Sequence, residues 1–207
     1  MIDPGEDAAP MVAEVVAEYR LKPVAVLLTH GHLDHVANVL PVAGGYDAAC
    51  WIHPQDRGLL TDPYAGLPEA WAQALLGPDA RFAEPDDVRE LQDGTRLELA
   101  GLSFQVDHAP GHTSGSVMFT SPHIDEQRPE QSGFAGTLLS GDVVFAGSVG
   151  RTDLPGGDPA AMRRSLQQKV LPLPDAMRVL PGHGEPTTIG RERRANPFLR
   201  ELVSPAS

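Results

Sequence analysis

Residues 26–38 read VLLTHGHLDHVAN, an apolar run that ends in His30, His32, Asp34 and His35, four ligand-type side chains within six positions. Packing alone has no use for such a cluster, because buried imidazoles and carboxylates need partners to offset lost hydration. The run at 24–29 is short and rich in Val and Leu, which predicts a buried strand. The cluster therefore falls at the C-terminal end of a strand, where α/β sheets commonly place ligand sites. Residues two apart in an extended segment or tight loop can point the same way, so His30 and His32 can grip one ion. Asp34 and His35 follow where the chain turns into a helix, and their side chains diverge toward a second position. Two N/O ligand sets on one segment suggest a pair of ions about 3.5–4 Å apart.

Each divalent ion needs three or four protein ligands, so one segment cannot complete such a site. Three further candidates stand at predicted strand ends beside glycine: His112 in APGHTSGS, Asp142 in LLSGDVVF and His183 in VLPGHGEP. Five histidines and two aspartates suffice for two sites of three protein ligands sharing one bridging carboxylate. His53, His108 and His123 are isolated and are expected to be structural or solvent-exposed. The single cysteine, Cys50, excludes an internal disulfide and a cysteine cage, and beside Trp51 it reads as a buried structural thiol.

The rest of the chain mixes helices and strands, which predicts one α/β domain over 1–207. Met11, Val12, Val15, Val16 and Tyr19 form a helical stripe, and HVANVLPVAGGY reads as a short helix closed by Gly44-Gly45. Strands are expected at 48–53 and 116–121, in GTLLSGDVVF and in RVLPGHG, with a hairpin around Gly101. A helix is expected at EAWAQALL, an exposed loop at 122–133, a helix capped near Asp158, and helical character around Pro197. The formal charge of −12 argues against a nucleic-acid partner. No apolar run approaches the roughly 18–20 residues of a membrane span. MIDPGEDAAP has neither the basic segment nor the apolar core of a signal peptide, so the expected compartment is the cytoplasm.

With Asp3 in IDPG, HGHLDH, His112, Asp142 and His183 in order, the chain resembles the metallo-β-lactamase-fold hydrolases over residues 3–184. The resemblance implies a four-layer αβ/βα sandwich with a dinuclear site at its edge. It assigns His30, His32 and His112 to the first metal and Asp34, His35 and His183 to the second, with Asp142 bridging. Asp34 carries the catalytic assignment as well, and Asp3 is expected to steady the ligands without binding metal. The ions would be zinc first, with iron or manganese also suited to the ligands. Relative to the family, the chain lacks the usual first strands before DPG. That implies either an upstream start or a shortened and less stable variant with an uncovered sheet edge.

Within the family, APGHTSGS, GDVVFAGSVGRTDLPGGD and LPGHGEPTTIGRERRANPFL look most like short bacterial glyoxalase II (hydroxyacylglutathione hydrolase) proteins. That likeness implies a dimetal-bridging hydroxide that cleaves the thioester of a small thiol, here an S-2-hydroxyacyl thiol. The long form binds glutathione with help from a C-terminal helical domain, yet only 24 residues follow His183 in this sequence, so thiol specificity does not carry over from the resemblance. Arg151, Arg193 and Arg194 are candidate substrate contacts, although Asp153 could hold Arg151 instead. The nearest rival is a persulfide dioxygenase with one iron on His30, His112 and Asp142; lactone hydrolysis and a non-catalytic scaffold are further alternatives. Class B β-lactamases often carry cysteine where Asp142 stands, and they are secreted.

Overall fold

The computed structural model describes residues 1–71, 82–122 and 133–203. The chain divides into two compact units, Met1–Leu91 and Gln92–Ser207. The first is built on a parallel three-stranded sheet in the order β1 (Ala25–Leu27), β2 (Ala49–Ile52), β3 (Val88–Glu90). Ile2 adds a parallel bridge to Leu27, which brings the DPG segment alongside β1. Helices α1 (Ala8–Tyr19), α2 (Leu33–Val36) and α3 (Val39–Tyr46) belong to the same unit. Its core gathers Val26, Leu28, Val39, Val42, Cys50, Ile52 and Leu60. Cys50 is fully buried, as a small thiol between two paired strands should be.

One local expectation changes here, and two features add to it. Gly44-Gly45 do not close α3; they lie inside it on the exposed side, and the helix ends on Asp47 in the left-handed region at φ 51°. Aspartate tolerates that conformation, so no glycine is needed. The stripe on α1 is only half used: Ala9 and Val12 pack on the core, while Met11, Val15 and Tyr19 are exposed. Val88–Glu90 pairs as the third parallel strand although two of its three residues are charged.

The second unit carries a six-stranded mixed sheet in the order β11-β10-β7-β6-β5-β4. Its strands are β4 (Arg96–Leu99), β5 (Leu102–His108), β6 (Val117–Ser121), β7 (Gly136–Gly141), β10 (Met177–Pro181) and β11 (Thr187–Thr188). A separate hairpin pairs β8 (Val144–Phe145) with β9 (Ser148–Val149). Helix α4 (Pro159–Ser165) starts on Asp158, whose side chain accepts from the Ala160 and Ala161 amides at 2.8 and 3.0 Å, satisfying two open N–H groups. A π-turn continues α4 through Leu166–Val170, and α5 (Ile189–Ala195) and α6 (Pro197–Val203) are separated at Asn196-Pro197. Met118, Leu138, Val144, Met162, Val170, Val179, Ile189 and Leu199 form the core. Most of the helix expected in EAWAQALL and of the loop expected at 122–133 lies outside the described residues. Among the described residues, no helix is long and apolar enough to cross a membrane.

Candidate metal centre

Four of the seven expected ligands belong to the first unit. His30 and His32 come three and five residues after the end of β1, and Asp34 and His35 sit on α2. The His30 ring lies 4.9 Å from that of His32, edge to face, and 4.1 Å from that of His35. His35 Nε2 stands 3.7 Å from Asp34 Oδ2. The three imidazoles are buried, whereas the Asp34 side chain is exposed.

Hydrogen bonds beneath the cluster decide which ring nitrogens carry protons. Asp3 Oδ1 accepts from the Thr29 amide at 2.7 Å, and Asp3 Oδ2 accepts from the Thr29 hydroxyl at 2.6 Å. With its proton committed there, Thr29 Oγ1 accepts from His30 Nδ1–H at 3.1 Å. Asp3 Oδ2 also accepts from His35 Nδ1–H at 3.0 Å. Both tautomers, assigned from the acceptor chemistry, therefore carry the proton on Nδ1 and the lone pair on Nε2. That is the arrangement a metal-ligating histidine needs. Buried Asp56 fixes the intervening loop by accepting from the Gly31 amide at 3.0 Å. Gly5 presses on the same segment: a Cβ there would lie 1.9 Å from the Asp34 carbonyl oxygen.

His112, Asp142 and His183 belong to the second unit. His112 lies in the β5–β6 connection, Asp142 directly follows β7, and His183 comes two residues after β10. Asp142 Oδ2 stands 3.5 Å from His112 Nε2 and 3.5 Å from His183 Nε2, so one carboxylate oxygen faces both rings. His112 Nδ1–H donates to the Arg151 carbonyl at 2.8 Å, which again leaves the lone pair on Nε2. Gly150 is pressed against this group: a Cβ there would fall 1.9 Å from the Asp142 carbonyl oxygen and 3.1 Å from His112 Nδ1. The His183 side chain is half exposed, with Phe145 edge-on at 6.2 Å.

The candidate substrate arginines have partners of their own. Arg151 clamps Asp153 through Nε and Nη2, both at 2.7 Å. Arg193 binds Asp175 through Nη1 and donates Nη2 to the Leu171 and Leu173 carbonyls, each at 2.7 Å. That donor pattern holds α5 to the segment after α4. Arg194 is exposed, 3.8 Å from Asp175. Thr29, Asp56, Glu192 and Asn196 escaped the sequence reading, because polar residues that hold other side chains carry no spacing signal of their own.

The metallo-β-lactamase superfamily model matches residues 1–123, more than half of the chain. The chain belongs to the metallo-β-lactamase superfamily. Hydroxyacylglutathione hydrolase GloC of Haemophilus influenzae is 36% identical over 96% of this chain and 86% of its own length. A solved structure of TTHA1623 in a di-iron-bound form is 40% identical, covering 96% of this chain and 88% of that one, with a TM-score of 0.75. The BLEG-1 B3 metallo-β-lactamase is 37% identical over 96% and 87% of the two chains, with a TM-score of 0.78. The fold is thus the α/β metallo-β-lactamase fold, and the relatives include a probable metallo-hydrolase, YqgX of Bacillus subtilis, 31% identical over 96% of this chain and 86% of its own length.

Proposed function

We propose that this superfamily member is a metal-dependent hydrolase cleaving the thioester of a small thiol, in the manner named for its Haemophilus relative. The proposal includes two divalent ions held by His30, His32, Asp34, His35, His112, Asp142 and His183, with zinc first and iron, as in the di-iron neighbour, second. The observation that carries it is the prepared donor set. His30, His35 and His112 each have Nδ1–H tied to an acceptor, and one Asp142 oxygen faces two imidazoles. Such a set suits borderline divalent cations.

Bound ions would supply a water whose pKa falls toward about 7 and Lewis-acid polarisation of the carbonyl. The protein does the rest. Asp3 and Thr29 hold His30 and His35 in the binding tautomer, and the Arg151 carbonyl does so for His112. Asp34, its side chain exposed beside His35, is assigned the catalytic role and would accept the proton that the attacking water gives up. The departing thiol has a pKa of about 8.5 and leaves as thiolate without a strong general acid. Arg151 remains the proposed substrate contact, since its clamp with Asp153 is exposed and exchangeable. We place the reaction in the cytoplasm, with neither nucleic acid nor membrane as partner.

The test is a substrate panel on metal-quantified protein: glutathione and other small-thiol thioesters, lactones, persulfides and a β-lactam. Thioester hydrolysis that outpaces the rest and is lost on chelation is expected. Sulfur-dependent oxygen uptake with one iron per chain overturns the proposal, as does preferential lactone or β-lactam cleavage.

A further inference from the structure

Glu192 and Asn196 are among the most deeply buried polar side chains of the second unit, and the chemistry above uses neither. They stand four residues apart, on α5 and at its C-cap, where i and i+4 share a face. Glu192 Oε2 accepts from the Gly147 amide at 2.7 Å and from Asn196 Nδ2 at 3.0 Å, while Oε1 accepts from the Thr187 hydroxyl at 2.6 Å. Asn196 Nδ2 also donates to the Ser148 carbonyl at 2.9 Å, and its Oδ1 accepts from the Phe198 amide at 3.1 Å. A carboxylate taken out of water costs several kcal/mol unless its lone pairs are engaged, and here three donors engage them.

Both contacts to Gly147 and Ser148 land on the turn of the β8–β9 hairpin. That hairpin is the stretch of chain between Asp142 and Arg151. One end carries the carboxylate facing His112 and His183; the other carries the carbonyl that fixes the His112 tautomer. Phe145, on the hairpin, sits edge-on to His183, and Thr187 starts the short strand four residues beyond that histidine. All three ligands of this unit are thus referenced to one buried carboxylate–carboxamide pair.

We propose that Glu192 and Asn196 are positioning residues for the ligand set His112, Asp142 and His183, acting through the β8–β9 hairpin. The inference rests on the metal-centre reading above. Two substitutions separate it from a merely structural role. In Glu192→Gln the amide oxygen keeps the Gly147 and Asn196 bonds, and its NH2 can donate to Thr187 Oγ1, whose hydroxyl rotates to accept. All contacts survive, and metal affinity is expected within about threefold of the parent. Asn196→Asp is equally isosteric but sets two carboxylates against each other and an acceptor against the Ser148 carbonyl, which releases the hairpin.

The experiment titrates metal-free protein with zinc against a chelator, records the cobalt-substituted spectrum, and measures melting of the metal-free forms. Asn196→Asp should bind zinc about 10–100-fold less tightly with an altered cobalt spectrum, and Thr187→Val, which removes one donor, should fall between. Lower melting temperatures with parental affinities and spectra in both Asn196→Asp and Thr187→Val would overturn the proposal. Loss of affinity in Glu192→Gln equal to that in Asn196→Asp would also overturn it, since the contacts would not be what matters. A parent protein that binds fewer than two ions sinks the dinuclear reading itself, and the positioning proposal with it.

Discussion

Asp3→Asn is the sharpest perturbation available to the first ligand set, because it keeps shape and reverses one donor role. Three donors converge on Asp3: the Thr29 amide, the Thr29 hydroxyl and His35 Nδ1–H, at 2.7, 2.6 and 3.0 Å. If the asparagine oxygen keeps the Thr29 amide, its NH2 faces both His35 Nδ1 and Thr29 Oγ1. His35 must then accept at Nδ1 and carry its proton on Nε2, the atom meant for the metal. Thr29, now accepting, turns its proton toward His30 Nδ1 and pushes His30 into the same wrong tautomer. The flipped amide fares no better, since it opposes NH2 to a backbone N–H. Each lost bond to a charged acceptor is worth about 1.5–3 kcal/mol in general, and part of it returns through rearrangement. We therefore expect a loss of about 100-fold in metal affinity, at the upper end for residues that hold metal ligands. Thr29→Val disturbs the His30 contact and leaves the Asp3–His35 bond, so a loss of about tenfold is expected, while Thr29→Ser should match the parent. Competition titration of the metal-free protein against a chromophoric chelator measures all three. Unchanged affinity in Asp3→Asn, or equal losses in Asp3→Asn and Thr29→Val, would refute the tautomer relay.

Two further outcomes are expected. Gly150→Ala puts a Cβ 1.9 Å from the Asp142 carbonyl, so the backbone must shift; metal binding should weaken by about tenfold or more, and a parental isotherm would show that the contact relaxes without moving the ligand. Burial, with Glu84 and Asp87 adding to it, pushes the Cys50 thiol from 9.0 up to about 12. The folded thiol thus stays protonated where the unfolded one ionises, so its contribution is complete below pH 9 and is lost as pH rises toward 12. Denaturant titrations of parent and Cys50→Ala should show their stability difference shifting against the parent by about 1–2 kcal/mol between about pH 8.5 and 10.5. A difference independent of pH over that window would contradict the buried thiol.

The candidate ligands could be singled out because His30, Asp142 and His183 stand where a buried strand gives way to a glycine-rich turn, a break that hydrophobic patterning makes visible. His30 after VLLT, Asp142 after LLSG and His183 after VLPG share that grammar. What stayed hidden depends on contacts distant in sequence. Nothing local to Asp56 announces that it accepts from Gly31, and nothing near Glu192 announces Gly147, 45 residues away. The α1 stripe does mark a helix, but periodicity shows only that a helix has an apolar face, not how much of that face finds a neighbour. At Val88–Glu90, pairing with β2 outweighs a charged composition, so propensity alone points elsewhere.

Gly5 and Gly150 occupy matching positions in the two units, each seated against the carbonyl oxygen of an aspartate, Asp34 or Asp142, with no room for a methyl group. A related chain could therefore retain every histidine and aspartate yet carry alanine or serine at either glycine. Any survey that tallies ligands would score that chain as intact, although its aspartate had been pushed aside. These two glycines are a criterion for sorting paralogues that hold metal from those that have kept only the letters.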